Sequence, residues 1–140
     1  MGTSKASAHW EGSIKEGRGG MKPGHASEVA FSFGTRFEGQ NGGNPEELVG
    51  AALAGCFSMA LSASLGRAGL SPQSINTTAS VVLDKVEGGF GITRIELETV
   101  AKVPGAEAAQ FQTIAEETKK TCPVSKALAG TSISLRARLE

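Results

Sequence analysis

Cysteine occurs twice in the chain, at Cys56 and Cys122, and both have neighbours that bear on reactivity. The thiolate, not the thiol, is the nucleophile, so the surroundings of each sulfur decide whether it reacts. Cys122 precedes Pro123, and proline is favoured at the first position of a helix. That puts Cys122 at an N-cap, where the positive end of the helix dipole lowers a thiol pKa. The same Cys-Pro pair also fits a plain bend. Cys56 sits among small and apolar residues in VGAALAGCFSMALS. Burial there without a cation raises its pKa and leaves it inert. A reactive Cys56 therefore needs a positive charge from outside its own segment. Arg67 is eleven residues further on, about 16 Å along a helix, and is too far to serve. Arg36, in FGTRFEG, is a candidate; the alternative is an ordinary solvated surface arginine.

Composition narrows the chemistry. With 140 residues the chain is expected to form one domain, residues 1–140, and 39% hydrophobic residues suit a globular core. Lys+Arg and Asp+Glu both number 14, and the pI is about 6.7. Neither figure suggests nucleic acid or an acidic membrane as a partner. The start, MGTSKASAHWEG, lacks an apolar stretch of signal-peptide length. The apolar run 48–61 is broken by Gly50, Gly55 and Ser58 and reads as too short to span a bilayer. A cytoplasmic protein is the expectation. The cysteines form no CxxC motif, and a permanent disulfide does not suit a reducing compartment. Two buried, inert thiols are the bland alternative. His9 and His25 are the only histidines, too few for a metal site with these cysteines, and no tyrosine is present.

The elements that must position these residues read as follows. Residues 7–16 alternate as a strand with Trp10 and Ile14 on one face. Residues 17–27 are rich in glycine and read as a loop. Residues 28–34 alternate Val29, Phe31 and Phe33 as a second strand, and 39–44 form another loop. Asn44-Pro45-Glu46-Glu47 is a helix start, with an N-cap, proline at the first position and two carboxylates at the positive end. That helix ends near Gly69. It is apolar nearly all round, the mark of a central buried helix. Its small residues Gly50, Ala51, Ala54, Gly55, Ser58 and Ser62 would let another helix approach closely. Strands at 74–86 and 90–103 flank the turn Glu87-Gly88-Gly89. A helix over 106–121 leads to Cys122-Pro123, a short helix ends at Gly130, and 131–139 alternate as the last strand. The predicted order is β-β-α-β-β-α-α-β, an α+β class with antiparallel sheet.

FGTRFEG, NPEELVGAALAGCFSMALS and KKTCPVSKAL together resemble the OsmC/Ohr family, the osmotically inducible and organic-hydroperoxide-resistance proteins. SAHWEGSIKEG and VVLDKVEGGFGITRIELE are similar to its OsmC branch, so the resemblance spans almost the whole chain. It implies the OsmC-like fold: antiparallel sheets around a long central apolar helix, built as an intertwined homodimer. It implies a thiol-dependent peroxidase, active in oxidative and osmotic stress defence, that prefers organic hydroperoxides to hydrogen peroxide. Cys56 matches the peroxidatic cysteine and Cys122 the resolving one. Arg36 matches the active-site arginine as the OsmC branch places it. Glu46 matches the glutamate that orients it, with Glu47 the less favoured neighbour. The resemblance implies no cofactor, and an external dithiol, of lipoyl type in relatives, as reductant.

Glu46 and Cys56 are ten residues apart on one helix, about 15 Å of rise, so that helix cannot bring them into one site. Two such helices packed antiparallel about a two-fold axis would bring Glu46 of one subunit toward Cys56 of the other. Phe31, Phe33, Phe37, Phe57 and Met59 either line an apolar approach to Cys56 or belong to the core. Two other functions compete: a redox sensor that switches once through the same disulfide, and a ligand-binding dimer with inert cysteines.

Overall fold

The computed structural model of the chain describes residues 2–140. They form two compact units, one running to Leu48 and one from Val49 to Glu140.

In the first unit, β1 (Ala6–Glu11), β2 (Arg18–Pro23) and β3 (Val29–Phe31) make an antiparallel sheet in that order. β2 was expected to be loop, because Arg18-Gly19-Gly20 followed by Pro23 reads as turn chemistry. Tertiary packing explains the glycines instead. Gly19 pairs with Trp10 on one side and Phe31 on the other, and their ring centroids are 5.4 Å apart. A Cβ at Gly19 would fall 2.8 Å from the Trp10 ring and 2.9 Å from the Phe31 ring. The glycine gives the two aromatics room to meet across the middle strand. The expected strand 28–34 is also cut short. Ser32 accepts from the Thr35 N–H and Thr35 Oγ1 accepts from the Ser32 N–H, a reciprocal cap that starts the short helix α1 (Phe33–Phe37).

The second unit is built on α2, whose span Pro45–Arg67 begins in the first. Its start is as expected, with Asn44 Oδ1 accepting from the Glu47 N–H at 2.9 Å. With 23 residues and a mean hydropathy of 1.8, α2 is long and apolar enough to cross a membrane, more than the run 48–61 suggests. One face packs as a core helix does, while the all-round burial expected of it is not reached within the protomer. Leu53, Phe57, Leu61 and Leu65 are fully buried with Ile95, Leu97, Ala101, Phe111 and Ala115. Each large side chain so buried contributes about 1.5–3 kcal/mol. The opposite face is exposed and small: Ala51, Ala52, Gly55, Ser62, Ala63 and Gly66, with Met59 at 80% exposure. Two of the small residues expected on that face have other duties. Gly50 is buried, with Val81 3.1 Å from a Cβ placed there. Ser58 shares a 2.7 Å hydrogen bond with Thr77, which continues at 2.9 Å to Thr99.

β4 (Ser74–Val86) and β5 (Gly89–Lys102) form the expected antiparallel hairpin, with a bulge between Val82 and Leu83. α3 (Ala108–Thr121) and α4 (Pro123–Ala127) follow, then β6 (Ser132–Leu139). The α+β class holds, but β6 joins β5 in parallel, from Arg94↔Ser132 to Ala101↔Leu139. Parallel neighbours need a long crossover, and α3 with α4 supplies it. Alternation along 131–139 gives a strand but not its direction, which the crossover decides.

Candidate active site

Arg36 lies in the last turn of α1 and Glu46 in the first turn of α2. Arg36 Nη2 donates to Glu46 Oε1 at 2.6 Å, and Nε donates to Oε1 and Oε2 at 3.1 and 3.2 Å. This is a fork-on-carboxylate pair, the strong form of an ion pair. The Glu46 side chain is only 10% exposed and that of Arg36 33%. The carboxylate is thus committed to the arginine, while part of the guanidinium remains accessible. Glu47, its neighbour, is exposed. Asn44 ties the two helices together, capping α2 and donating from Nδ2 to the Thr35 carbonyl at 3.4 Å.

Beside Arg36 is an apolar pocket of about 270 Å³, lined by Trp10, Ile14, Phe31, Phe33 and Phe37 together with Ser32. Three of the phenylalanines expected to line an apolar approach are here. Phe57 is instead fully buried in the core, and Met59 stands on the exposed face of α2. Trp10 and Ile14 were expected on one strand face, but β1 ends at Glu11 and Ile14 lies in the turn that follows, and both line the pocket.

The second unit holds both cysteines, each a free thiol. Cys122 ends α3, donating its N–H to the Thr118 carbonyl, and caps α4 in the same residue. Its Sγ accepts from the Ser125 N–H at 3.4 Å and lies 3.2 Å from Ser125 Oγ. The Cys56 and Cys122 side chains are hydrogen-bonded to each other, and the Val124 N–H reaches the Cys56 sulfur. The fold therefore brings two cysteines 66 residues apart in sequence into direct interaction.

Their acidities diverge. Burial pushes the Cys56 thiol up; the Val124 N–H works against this and the neighbouring Cys122 adds to it. Burial acts in the same sense on Cys122 but is outweighed by hydrogen bonds from the Ser125 hydroxyl, the Ser125 N–H, Cys56 and the Val124 N–H, so that Cys122 is lowered. The expected lowering at Cys122 is present, and hydrogen bonds from Ser125 produce it. Cys56, as expected for a buried thiol without a cation, is raised. The four residues singled out in the sequence thus form two pairs, Arg36 with Glu46 and Cys56 with Cys122. Ser125 was missed, although the Cys-Pro-x-Ser spacing that puts a hydroxyl one helical turn after an N-cap is visible in the sequence.

A family model described as OsmC-like protein matches residues 38–136. The peroxiredoxin OsmC of Escherichia coli (strain K12) is 53% identical over 126 residues, covering 89% of this chain and 88% of that protein. The organic hydroperoxide resistance protein of Xanthomonas axonopodis pv. citri is 37% identical over 93 residues, 66% of this chain and 63% of that one. Among solved structures, an organic hydroperoxide resistance protein OsmC from Legionella pneumophila shares the fold, with a TM-score of 0.72 at 20% identity over 100% of this chain and 98% of that one.

Proposed function

The chain belongs to the OsmC family, and from that premise we propose that it is a thiol-dependent peroxidase that reduces organic hydroperoxides in oxidative and osmotic stress defence. The observation that carries this is the hydrogen-bonded Cys56–Cys122 pair of free thiols. The Cys56 thiolate attacks the outer oxygen of the hydroperoxide, breaks the O–O bond and becomes a sulfenic acid; the alkoxide leaves and takes a proton. Cys122 then attacks the Cys56 sulfur and expels hydroxide, closing the disulfide. A dithiol of lipoyl type supplies two electrons to reopen it. No metal or cofactor takes part. A match over 89% of the chain to one relative supports treating residues 1–140 as one domain, and a dithiol reductant suits the cytoplasm as the compartment.

The site works as a homodimer. Cys56 needs a cation, and Arg36 with Glu46 supplies one from the partner, since ten helical residues separate Glu46 from Cys56 by about 15 Å. The exposed face of α2 supports this reading. A Cβ on Gly55 or Gly66 would meet nothing within 4 Å, so the protomer's own packing does not require those glycines. Close approach of a second α2 does. Met59→Glu, a change at a side chain 80% exposed, is expected to leave the protomer folded while converting dimer to monomer by light scattering. A variant that stays dimeric removes this face as the interface.

The substrate's organic group fits the apolar pocket beside Arg36. The testing experiment follows consumption of cumene hydroperoxide and hydrogen peroxide with dithiothreitol in excess. Many turnovers are expected, with the organic substrate preferred; Trp10→Ala is expected to shrink that preference by about tenfold, the worth of one lost apolar contact. Consumption that stops at one equivalent would instead identify a sensor.

A further inference from the structure

Two features of the cysteine pair are unequal: access and hydrogen bonding. Cys122 is 1% exposed and Ser125 6%, while Cys56 is only half-buried. A thiol from outside therefore meets the Cys56 sulfur first. Ser125 gives Cys122 two contacts, its N–H at 3.4 Å and its hydroxyl at 3.2 Å. Between two neutral groups either could donate. A thiolate has no proton, so once Cys122 is ionised the Ser125 hydroxyl must be the donor. The arrangement thus favours negative charge on the sulfur that solvent does not reach.

On the reading of the chain as a peroxidase, we propose that Ser125 is a positioning residue that holds Cys122 as the thiolate, making it the leaving group when the disulfide is reduced and directing the reductant to Cys56. The steps balance. One thiolate of the dithiol attacks the Cys56 sulfur, the Cys56–Cys122 bond breaks, and its electron pair goes to Cys122. The product is a mixed disulfide on Cys56 and a Cys122 thiolate that accepts the Ser125 hydroxyl proton as a hydrogen bond. The second thiol of the reductant then displaces Cys56 and closes its own disulfide. Attack and departure both follow thiol acidity, the better leaving group being the more acidic thiol. The same hydrogen bond keeps Cys122 ionised for its earlier attack on the Cys56 sulfenic acid.

The first measurement needs no variant. Oxidised protein is treated briefly with about one equivalent of 2-mercaptoethanol, a monothiol with no second thiol to complete the step intramolecularly, quenched in acid and mapped by peptide mass spectrometry. The adduct is expected on Cys56; an adduct mainly on Cys122 overturns the proposal. In the second, Ser125→Ala is expected to slow disulfide opening by dithiothreitol and disulfide closure by about tenfold relative to the rate of Cys56 oxidation, the worth of one hydrogen bond to a charged group. In a Cys56→Ser background, alkylation of Cys122 is expected to require higher pH once Ser125→Ala is added, and to return toward the original profile with Ser125→Thr. A pH profile that does not move with Ser125→Ala overturns the role. A protein in which Cys56 is not oxidised by hydroperoxide at all defeats the peroxidase reading instead, an outcome the oxidation step reports separately.

Discussion

Cys56→Ser is expected to abolish the fast reaction with organic hydroperoxides, and Cys122→Ser to leave a protein that reacts once and stops as a sulfenic acid. The two cysteines share a hydrogen bond, yet their positions divide the labour. Cys56 is the half-buried sulfur that a substrate can reach, and Cys122 is enclosed. A serine hydroxyl is far less acidic than a thiol and does not displace on peroxide oxygen, so the loss at Cys56 is expected to exceed about 10⁴-fold, the scale of removing a covalent nucleophile. Without Cys122 the first step survives and the sulfenic acid has no internal partner, so over-oxidation to sulfinic acid follows under excess peroxide. Thiol titration against one equivalent of cumene hydroperoxide, with a sulfenic-acid trap read by mass spectrometry, checks both. Two thiols lost in the parent protein, none rapidly in Cys56→Ser and one in Cys122→Ser is the expected pattern. Rapid oxidation of Cys122 in Cys56→Ser would reverse the assignment. The raised pKa of Cys56 makes that a sharp test, because within one protomer the hydrogen bonds favour charge on Cys122.

The parts of the fold written in local signals were legible. Asn44-Pro45 fixed the start of α2, Pro123 fixed Cys122 as a cap, and the turn signal at Glu87-Gly88-Gly89 fixed the hairpin, with Gly89 opening β5. What was not legible depends on residues far apart. β2 is a strand because Trp10 and Phe31 close over Gly19, and glycine by itself reads as a turn. Phe33 continues the alternation of β3, but the reciprocal bonds of Ser32 and Thr35 turn the chain into α1 there. The direction of β6 belongs to the crossover and not to its own eight residues. For the candidate site, residue types and family motifs named four residues, and the structure places them in two pairs, Arg36 with Glu46 and Cys56 with Cys122. The choice of Glu46 over Glu47 follows from helix phase: adjacent positions on α2 point about 100° apart, so one carboxylate is buried against Arg36 and the other faces solvent. The pocket beside Arg36 could not be assembled beforehand, because Trp10 comes from β1, Ile14 from the turn after it and Phe31 from β3.

Removing Arg36 is expected to slow Cys56 oxidation by about 10²–10³-fold, the usual effect of deleting a preorganised charge at a reacting centre. It also leaves Glu46, with a side chain 10% exposed, without its partner. Breaking a fully buried pair costs about 3–5 kcal/mol. Arg36 is a third exposed and the pair partly screened, so a loss of about 1–2 kcal/mol in unfolding free energy is expected for Arg36→Ala. Arg36→Lys keeps the charge but cannot reproduce the fork on Glu46, and is expected to fall between. Glu46→Gln retains an acceptor but not the charge that holds the guanidinium, so it lowers the oxidation rate with a smaller loss of stability than Arg36→Ala. Slow oxidation alone would not say which protomer's arginine serves which cysteine. Subunit mixing does. In a composite site, a protomer with Arg36→Ala still carries its cysteine pair, and a protomer with Cys56→Ser still carries its arginine. Each is inactive as a homodimer, but a mixed dimer holds one complete site of two. Random reassortment is therefore expected to recover about a quarter of the parent activity. If Arg36 served the cysteine of its own chain, every mixed dimer would hold two broken sites and nothing would return on mixing, so the recovered fraction alone decides whether the peroxidase site belongs to one chain or to two.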